Sequence, residues 1–369
     1  MKIAFAHMFT LRTPRGIERY IINMANALSR RGEDVTIIAG RCPQSPTRAW
    51  IDDRITIHEI AHHNWHKLSF VPSFLMDFLA NDYDVLNLAL ARGEGYAAGL
   101  AHKIKDIRYN VIFHYPYENH EKHFHAFKRF GTAADADGMI AVSSYVARGV
   151  RECFGRDAQV VPNGVDPELF LPDNGKRAQL RGQLQIPDDA PVLLTVSALQ
   201  GRKGIHKVLR AIGVLKLTHP DVRYMVVGDG NEKDRAAFFT QIRSLGLESS
   251  VLFFGNQSDV TPYYNAADLF VFLPEYEAFG IVALEAMAAE LPVVASQGNA
   301  FPEILSQGGG IMVDPNDPES VSETIASLLN DRERMMRIGW EGRRSVVNRF
   351  TWDAVASQLI GIFRQQTHL

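Results

Sequence analysis

Leu269 to Ser296 reads LFVFLPEYEAFGIVALEAMAAELPVVAS. Leu269 to Leu273 is a strand-sized apolar run of residues that suit a pleated, buried surface. A short loop carries Glu275, Glu277, Ala278 and Phe279, and Gly280 then opens a helical run to Ala289. Pro292 follows, and Val293 to Ala295 is strand-sized again. Strand, helix and second strand in close succession form the unit of a parallel sheet, because two parallel strands need a crossover to join them.

The same alternation extends in both directions. Upstream, Val192 to Val196, Tyr224 to Val227 and Val251 to Phe254 read as strands, with helical stretches such as Gly204 to Lys216 between them. Val161 to Gly175, with three prolines, two glycines and Asp173-Asn174, reads as a linker. Before it, strands are expected at Ile3 to Ala6, Val35 to Ile38, Ile55 to Ile60, Val85 to Leu90, Val111 to His114 and Met139 to Val142. Ile17 to Ser29 is an amphipathic helix with Ile21, Met24, Ala25 and Leu28 on one face. Trp352 to Gln366 is a last amphipathic helix. The expected fold is α/β, two Rossmann-like domains in tandem. The domains expected are 1–162, a linker and domain entry at 163–190, a second domain at 191–350, and a C-terminal helix at 351–369 that packs back on the first domain. Ligands of such sheets bind at the carboxyl ends of the strands, where the strand order reverses.

The 369 residues suit two domains, and 46% hydrophobic with 22% charged residues is the composition of a globular enzyme. No apolar run approaches the length of a bilayer span. The start, MKIAFAHMF, reads as a buried strand because its apolar run is short and broken by His7. Cys42 and Cys153 are the only cysteines, which argues for a reducing compartment. The net charge of −3 divides into a mildly basic first part and an acidic second part. Neither part is basic enough for nucleic acid to be the partner. A cytoplasmic protein is expected, with peripheral contact to the inner membrane face through the N-terminal domain left open.

Chemistry is expected in the strand-to-helix loops. A helix opened by Gly280 presents free N–H groups and a partial positive charge, which suits a phosphate. Glu277 before that terminus and Glu285 two turns along can each accept hydrogen bonds from sugar hydroxyls. On spacing alone, a helix cap and a solvated surface residue fit equally well.

As a set, these motifs resemble a family. Glu277-x7-Glu285 with Phe279-Gly280 inside it, then Glu285-Ala286-Met287-Ala288 and Pro292-Val293-Val294-Ala295, is similar to the signature of retaining family 4 glycosyltransferases (glycosyl transferases group 1) of the GT-B fold. So are Gly16-Ile17-Glu18-Arg19, Ala141-Val142-Ser143, Val161-Pro162-Asn163-Gly164-Val165-Asp166, Lys203-Gly204, Val227-Gly228-Asp229-Gly230 and Ala267-Asp268. The resemblance implies two sheets facing across a cleft and a retaining hexosyltransferase. It would move a hexose from a nucleoside diphosphate sugar to a hydroxyl acceptor in polysaccharide or glycolipid synthesis. UDP-glucose is the favoured donor and GDP-mannose the alternative; the acceptor is left open between a lipid-linked saccharide, an exopolysaccharide precursor and a small metabolite. No cofactor and no metal is expected.

By the same resemblance Glu277 contacts the donor sugar, Glu285 grips the ribose, and the N–H groups of Phe279, Gly280 and Ile281 serve the sugar and distal phosphate. Ala278 and Gly255 complete the donor site, and His114 contacts the sugar near its anomeric carbon. Lys203 would neutralise the departing diphosphate. Gly16, opening the first helix, would let the backbone approach the pyrophosphate. The chain departs from the pattern twice: Ala198 stands where the family has an arginine, and Arg15 where its loop has a first glycine. Arg202 is the expected substitute cation, with Arg15 as its rival. Two other readings remain, a non-catalytic nucleotide-sugar-binding subunit and a nucleotide-sugar epimerase of the same fold.

Other signals point less far. Asp135-Ala136-Asp137 imitates a metal-binding Asp-x-Asp but precedes a strand, and Gly93 to Gly99 imitates a dinucleotide loop without the acid that would hold a ribose. His62-His63-x-x-His66 reads as a solvated loop. Asn119 to Phe130 mixes aromatics with cations and reads equally as a membrane-surface segment or an ordinary amphipathic helix.

Overall fold

The computed structural model describes residues 1–12, 15–61, 70–89, 93–116, 133 and 135–367. The chain divides into two compact units, Met1–Gly164 together with Trp352–Leu369, and Val165–Thr351.

The first unit holds β1 (Lys2–Ala6), β2 (Asp34–Gly40), β3 (Thr56–Ile60), β4 (Val85–Leu88), β5 (Tyr109–Phe113), β6 (Gly138–Ala141) and β7 (Gln159–Val160). They form one sheet in the order β3-β2-β1-β4-β5-β6-β7, with every pair parallel. Strands β4, β5 and β6 are buried along their whole length, as a sheet covered on both faces requires. The strand order reverses between β1 and β4, and Glu94 fixes the loops there: its buried Oε1 accepts the Met8 N–H at 3.0 Å.

Helix Trp352–Thr367 belongs to this unit and packs on helix Gly16–Arg30. Its first residue, Trp352, lies edge-on to Tyr20 at 5.9 Å. Near its end the Gln366 amide exchanges hydrogen bonds with Asn110 at 2.7 and 3.0 Å. Gly164 lies flat on Trp352, where an added Cβ would sit 2.6 Å from the indole.

The second unit repeats the plan with β8 (Val192–Val196), β9 (Arg223–Val227), β10 (Val251–Gly255), β11 (Leu269–Phe272), β12 (Val293–Ser296) and β13 (Gly310–Val313). The order is β10-β9-β8-β11-β12-β13, again parallel. Helix Ile205–Leu215 buries Ile205, Val208, Leu209, Ile212 and Leu215 against Leu193, Tyr224, Val226 and Val271, a 3.6-residue apolar stripe laid on a strand surface.

Three features differ from the sequence reading. Strands β7 and β13 were not expected: each lies at a sheet edge, β7 has two residues, and β13 begins with Gly310 and leaves Met312 42% exposed. Edge strands need only one buried face, so their hydrophobic signal is weak. The stretch read as a linker is structured. Val165 N–H donates to Phe350 O at 2.8 Å, and Asp173 caps helix Asn174–Gln183 by accepting from Lys176 N–H. Arg177 and Arg181 on that helix grip the two oxygens of Asp268 at 2.7 and 3.1 Å. Arg181 is 2% exposed and also donates to the Ala266, Asp188 and Ala190 carbonyls. The Ala267-Asp268 motif is thus a structural clamp, because a buried guanidinium needs acceptors for its donors.

Candidate functional site

The second sheet reverses its order between β8 and β11, which pair directly, so the loops leaving both strands run side by side at the carboxyl edge. Gly204 sets how closely they approach. Its φ is 74°, and a Cβ there would lie 1.7 Å from the Leu273 carbonyl oxygen. Glu275 N–H donates to Arg202 O at 2.8 Å, stitching one loop to the other. Across this seam Lys203 Nζ donates to Glu277 Oε2 at 2.6 Å, with side-chain exposures of 17% and 15% that leave the pair only weakly screened by solvent. The ammonium also lies 5.6 Å from the Phe272 ring. Arg202 stacks over Tyr276 at 5.3 Å.

Helix Ile281–Ala288 begins beside that pair. Gly280, at φ 94°, is its N-cap, and no side chain caps it, so the terminus keeps donors free for an anion. Phe279 is buried and edge-on to Phe350 at 6.1 Å, which anchors the loop. Ala278 is half-buried in that loop. Glu285 is half-buried, and its Oε2 accepts the Tyr264 hydroxyl at 2.7 Å. Tyr264 is 1% exposed; burial first, and the Glu285 charge second, push its phenol well above the ordinary range. Tyr264 therefore stays a protonated donor that orients the carboxylate.

The structure thus brings Lys203, Glu277, Arg202, Ala278, Phe279, Gly280 and Ile281 together at one edge, with Glu285 further along the same helix. Gly255 stands apart. It ends β10, two strands from the reversal, at φ 64°, and its carbonyl accepts the Gly228 N–H at 2.7 Å. Gly228, at φ 124°, is required because a Cβ would meet the Ser197 carbonyl oxygen at 2.1 Å. Arg235 binds Asp229 through its Nε and Nη2, and with the Gly230 N–H holds that carboxyl down at about 2. Ala198 sits at the turn after β8, its carbonyl accepting from Gln200 N–H and Ser197 Oγ.

His114, Gly16 and Arg15 lie in the first unit. His114 follows β5 and is half-buried, its ring edge-on to Tyr20 at 4.6 Å. Its Nε2 is enclosed with no hydrogen-bond partner among the described residues. Burial, and then the neighbouring His7, push its pKa down to about 3, so the ring is a neutral imidazole. Gly16 has nothing within 4 Å of where a Cβ would stand, and Arg15 beside it is exposed. Its value there is open space rather than backbone strain. Asp137 accepts the Tyr109 N–H at 2.8 Å and Asp135 pairs with Lys103 at 3.2 Å, so both acids have structural partners. His62, His63, His66 and Asn119 to Phe130 lie outside the described residues.

Sequence reading missed Tyr264, Tyr20 and His7. Tyr264 carried no motif; its signal is only that a buried tyrosine precedes Ala267-Asp268 and must find an acceptor.

Two Rossmann-like units of parallel sheets define the GT-B fold. Residues 14–169 match the family described as Glycosyltransferase Family 4, and residues 176–345 match Glycosyl transferases group 1. The chain belongs to the family 4 glycosyltransferases. The D-inositol 3-phosphate glycosyltransferase of Segniliparus rotundus is 32% identical over 239 residues, covering 63% of this chain and 53% of that protein. The chain therefore spans about half the length of this relative. The phosphatidyl-myo-inositol mannosyltransferase of Mycobacterium leprae is 28% identical over 98% of this chain and 96% of its own. Among solved structures, Anabaena HepE in complex with UDP-glucose superposes with a TM-score of 0.84 at 21% identity, covering 99% of this chain and 100% of that one. A likeness at this identity shows the fold alone.

Proposed function

We propose that this protein is a retaining glycosyltransferase that moves a hexose from a nucleoside diphosphate sugar to a hydroxyl acceptor. The observation that carries the reading is the Lys203–Glu277 ion pair across the order reversal of the second sheet, beside an uncapped helix. An ammonium has three N–H donors. One is aimed at Glu277, which leaves two for oxygens of a diphosphate. The free carboxylate oxygen of Glu277 can accept from a sugar hydroxyl, the Gly280–Ile281 terminus suits a phosphate, and Glu285, held by Tyr264, can accept from the ribose.

Bond breaking between the anomeric carbon and the phosphate oxygen places a growing negative charge on the diphosphate, which Lys203 and Arg202 meet in place. The departing phosphate oxygen takes the proton of the acceptor hydroxyl, whose oxygen attacks the same face of the sugar, so configuration is retained. His114, neutral, orients the sugar rather than exchanging protons with it. The cations and the helix terminus supply the charge, so no metal is invoked. UDP-glucose is the favoured donor, in keeping with the UDP-glucose of the Anabaena complex; GDP-mannose is the alternative. A lipid-linked hydroxyl acceptor is in keeping with the phosphatidylinositol acceptor in the name of the M. leprae relative.

Incubation with UDP-glucose or GDP-mannose in chelator, with nucleotide release followed and the product anomer assigned by NMR, tests this. Release of UDP or GDP with an α-linked product is expected. An inverted product refutes the retaining mechanism, and dependence on added metal refutes the charge assignment.

A further inference from the structure

Helix Arg332–Arg349 turns two glycines, Ser345 and Val346 inward and packs Met335 and Ile338 on the core, yet leaves three further large apolar residues outward. Its buried residues are Gly339, Gly342, Ser345 and Val346. A Cβ at Gly339 would lie 2.1 Å from Glu290 O, and one at Gly342 would lie 2.9 Å from Gly309 Cα. Glycine on this face lets the helix rest directly on the backbone beneath it. Facing solvent instead are Met336, Trp340 and Val347, at 66%, 54% and 46% exposure. At 3.6 residues per turn these three fall within about 40° of one another, in a stripe roughly 16 Å long. A soluble helix places that stripe against its core.

The borders of the stripe are cationic. Arg332 lies on one side, and Arg337 and Arg344 on the other. Arg344 stacks over the Trp340 ring at 4.7 Å. None of the three has an acidic partner within 4 Å among the described residues. Glu333 is the one acid on this exposed face; Glu341 is half-buried and turned toward Gly308. Elsewhere the cations are committed: Arg343 reaches Glu168 and the Pro167 and Ala288 carbonyls, and Arg349 reaches Ser306. The second unit is acidic overall, so this basic border is a local feature rather than a consequence of bulk charge.

We propose that this face of helix Arg332–Arg349 docks the second unit onto an anionic lipid surface. Tryptophan is at home at headgroup depth, flanked by Met and Val that enter the acyl boundary. Unpaired guanidiniums at the borders meet lipid phosphates, with charge attraction adding to apolar burial. No helix among the described residues is long and apolar enough to cross a membrane, so the contact is peripheral. It does not depend on the sugar-transfer reading, since no proposed donor-site residue lies on this helix.

The test is co-sedimentation of the whole chain with vesicles of phosphatidylcholine, with and without phosphatidylglycerol, at low and high salt. Trp340 emission is followed against a Trp340→Phe control. Binding to the phosphatidylglycerol vesicles, weakened by salt and accompanied by a blue shift that the control lacks, is expected. Arg337→Glu with Arg344→Glu lowers binding about ten-fold or more, and Met336→Ser with Trp340→Ser abolishes it, with far-UV circular dichroism and unfolding temperature unchanged. These substitutions are all on exposed positions, so folding is preserved. Equal binding to both vesicle types, absence of binding, variants that bind like the parent, or a stripe covered by self-association in sedimentation would each overturn the proposal.

Discussion

Replacing Lys203 by Met separates what the Lys203–Glu277 pair does for the fold from what it does for chemistry. Two opposite charges at 4 Å attract by about 4 kcal/mol at an effective dielectric of about 20, and the 2.6 Å contact lies inside that distance. Desolvation offsets much of this, but removing one partner leaves the other in a weakly solvated position, which costs about 3–5 kcal/mol when burial is complete. With 15% of the Glu277 side chain still exposed, about 1.5–3 kcal/mol is expected, in line with a hydrogen bond to a charged group. For a unit of this size that lowers the unfolding temperature by roughly 4–10 °C. Adding Glu277→Gln removes the stranded charge, so Lys203→Met/Glu277→Gln should recover most of the stability, with a coupling of about 1 kcal/mol or more. Transfer should not recover. Loss of a preorganised group facing the developing charge costs about 100-fold in rate, and the double variant lacks it too. Calorimetric scans of the four proteins and nucleotide release from UDP-glucose measure both quantities. Additive stability effects would show that the pair does not hold in solution, and undiminished release by Lys203→Met would refute its role at the leaving group.

Arg202→Ala should lower transfer by about ten-fold or more, and Ala198→Arg should restore part of it, whereas a silent Arg202→Ala with an active-site defect in Arg15→Ala moves the missing cation to the first unit. Gly204→Ala should cost several kcal/mol, because it combines a left-handed backbone with a Cβ 1.7 Å from Leu273 O; an unfolding temperature equal to the parent's would contradict the close approach of the two loops. For His114 the folded pKa lies near 3, below the ordinary 6.5, so the unfolded chain binds the extra proton. Stability from this group is complete above about pH 6.5 and falls as the pH drops toward 3, by up to about 1.4 kcal/mol per unit. His114→Asn should flatten that part of the stability profile, and a profile as steep as the parent's would show that the ring is not enclosed.

The parallel sheets were legible because their central strands are buried on both faces and appear as continuous apolar runs, Leu269–Phe272 and Val192–Val196 among them. The edge strands β7 and β13 were not, since half-exposed strands share their composition with loops. In the second unit the Glu277–Glu285 spacing and Lys203-Gly204 drew attention to two loops that the fold sets side by side, because a strand-to-helix turn gathers polar groups in a few consecutive residues. What brings Lys203 onto Glu277 was hidden: it depends on β8 and β11 being neighbours, a contact between residues 74 positions apart. Tyr264 reaches Glu285 from another helix, and Asp268 draws Arg177 and Arg181 from a stretch that reads as a linker. Long-range side-chain pairs of this kind leave no periodicity in the chain.

In the proposed function the reversal point of the second sheet binds a nucleoside diphosphate sugar through two glutamates with different duties. Calorimetric titration of UDP, GDP, UDP-glucose and GDP-mannose into the parent, Glu277→Gln and Glu285→Gln tests it directly. Glu285→Gln should weaken the free nucleotide and the intact donor alike by about 10-fold or more. Glu277→Gln should leave the free nucleotide nearly unchanged and weaken only the sugar-bearing donor. Equal effects of the two substitutions on the free nucleotide, or binding of neither nucleotide by the parent, would contradict the account.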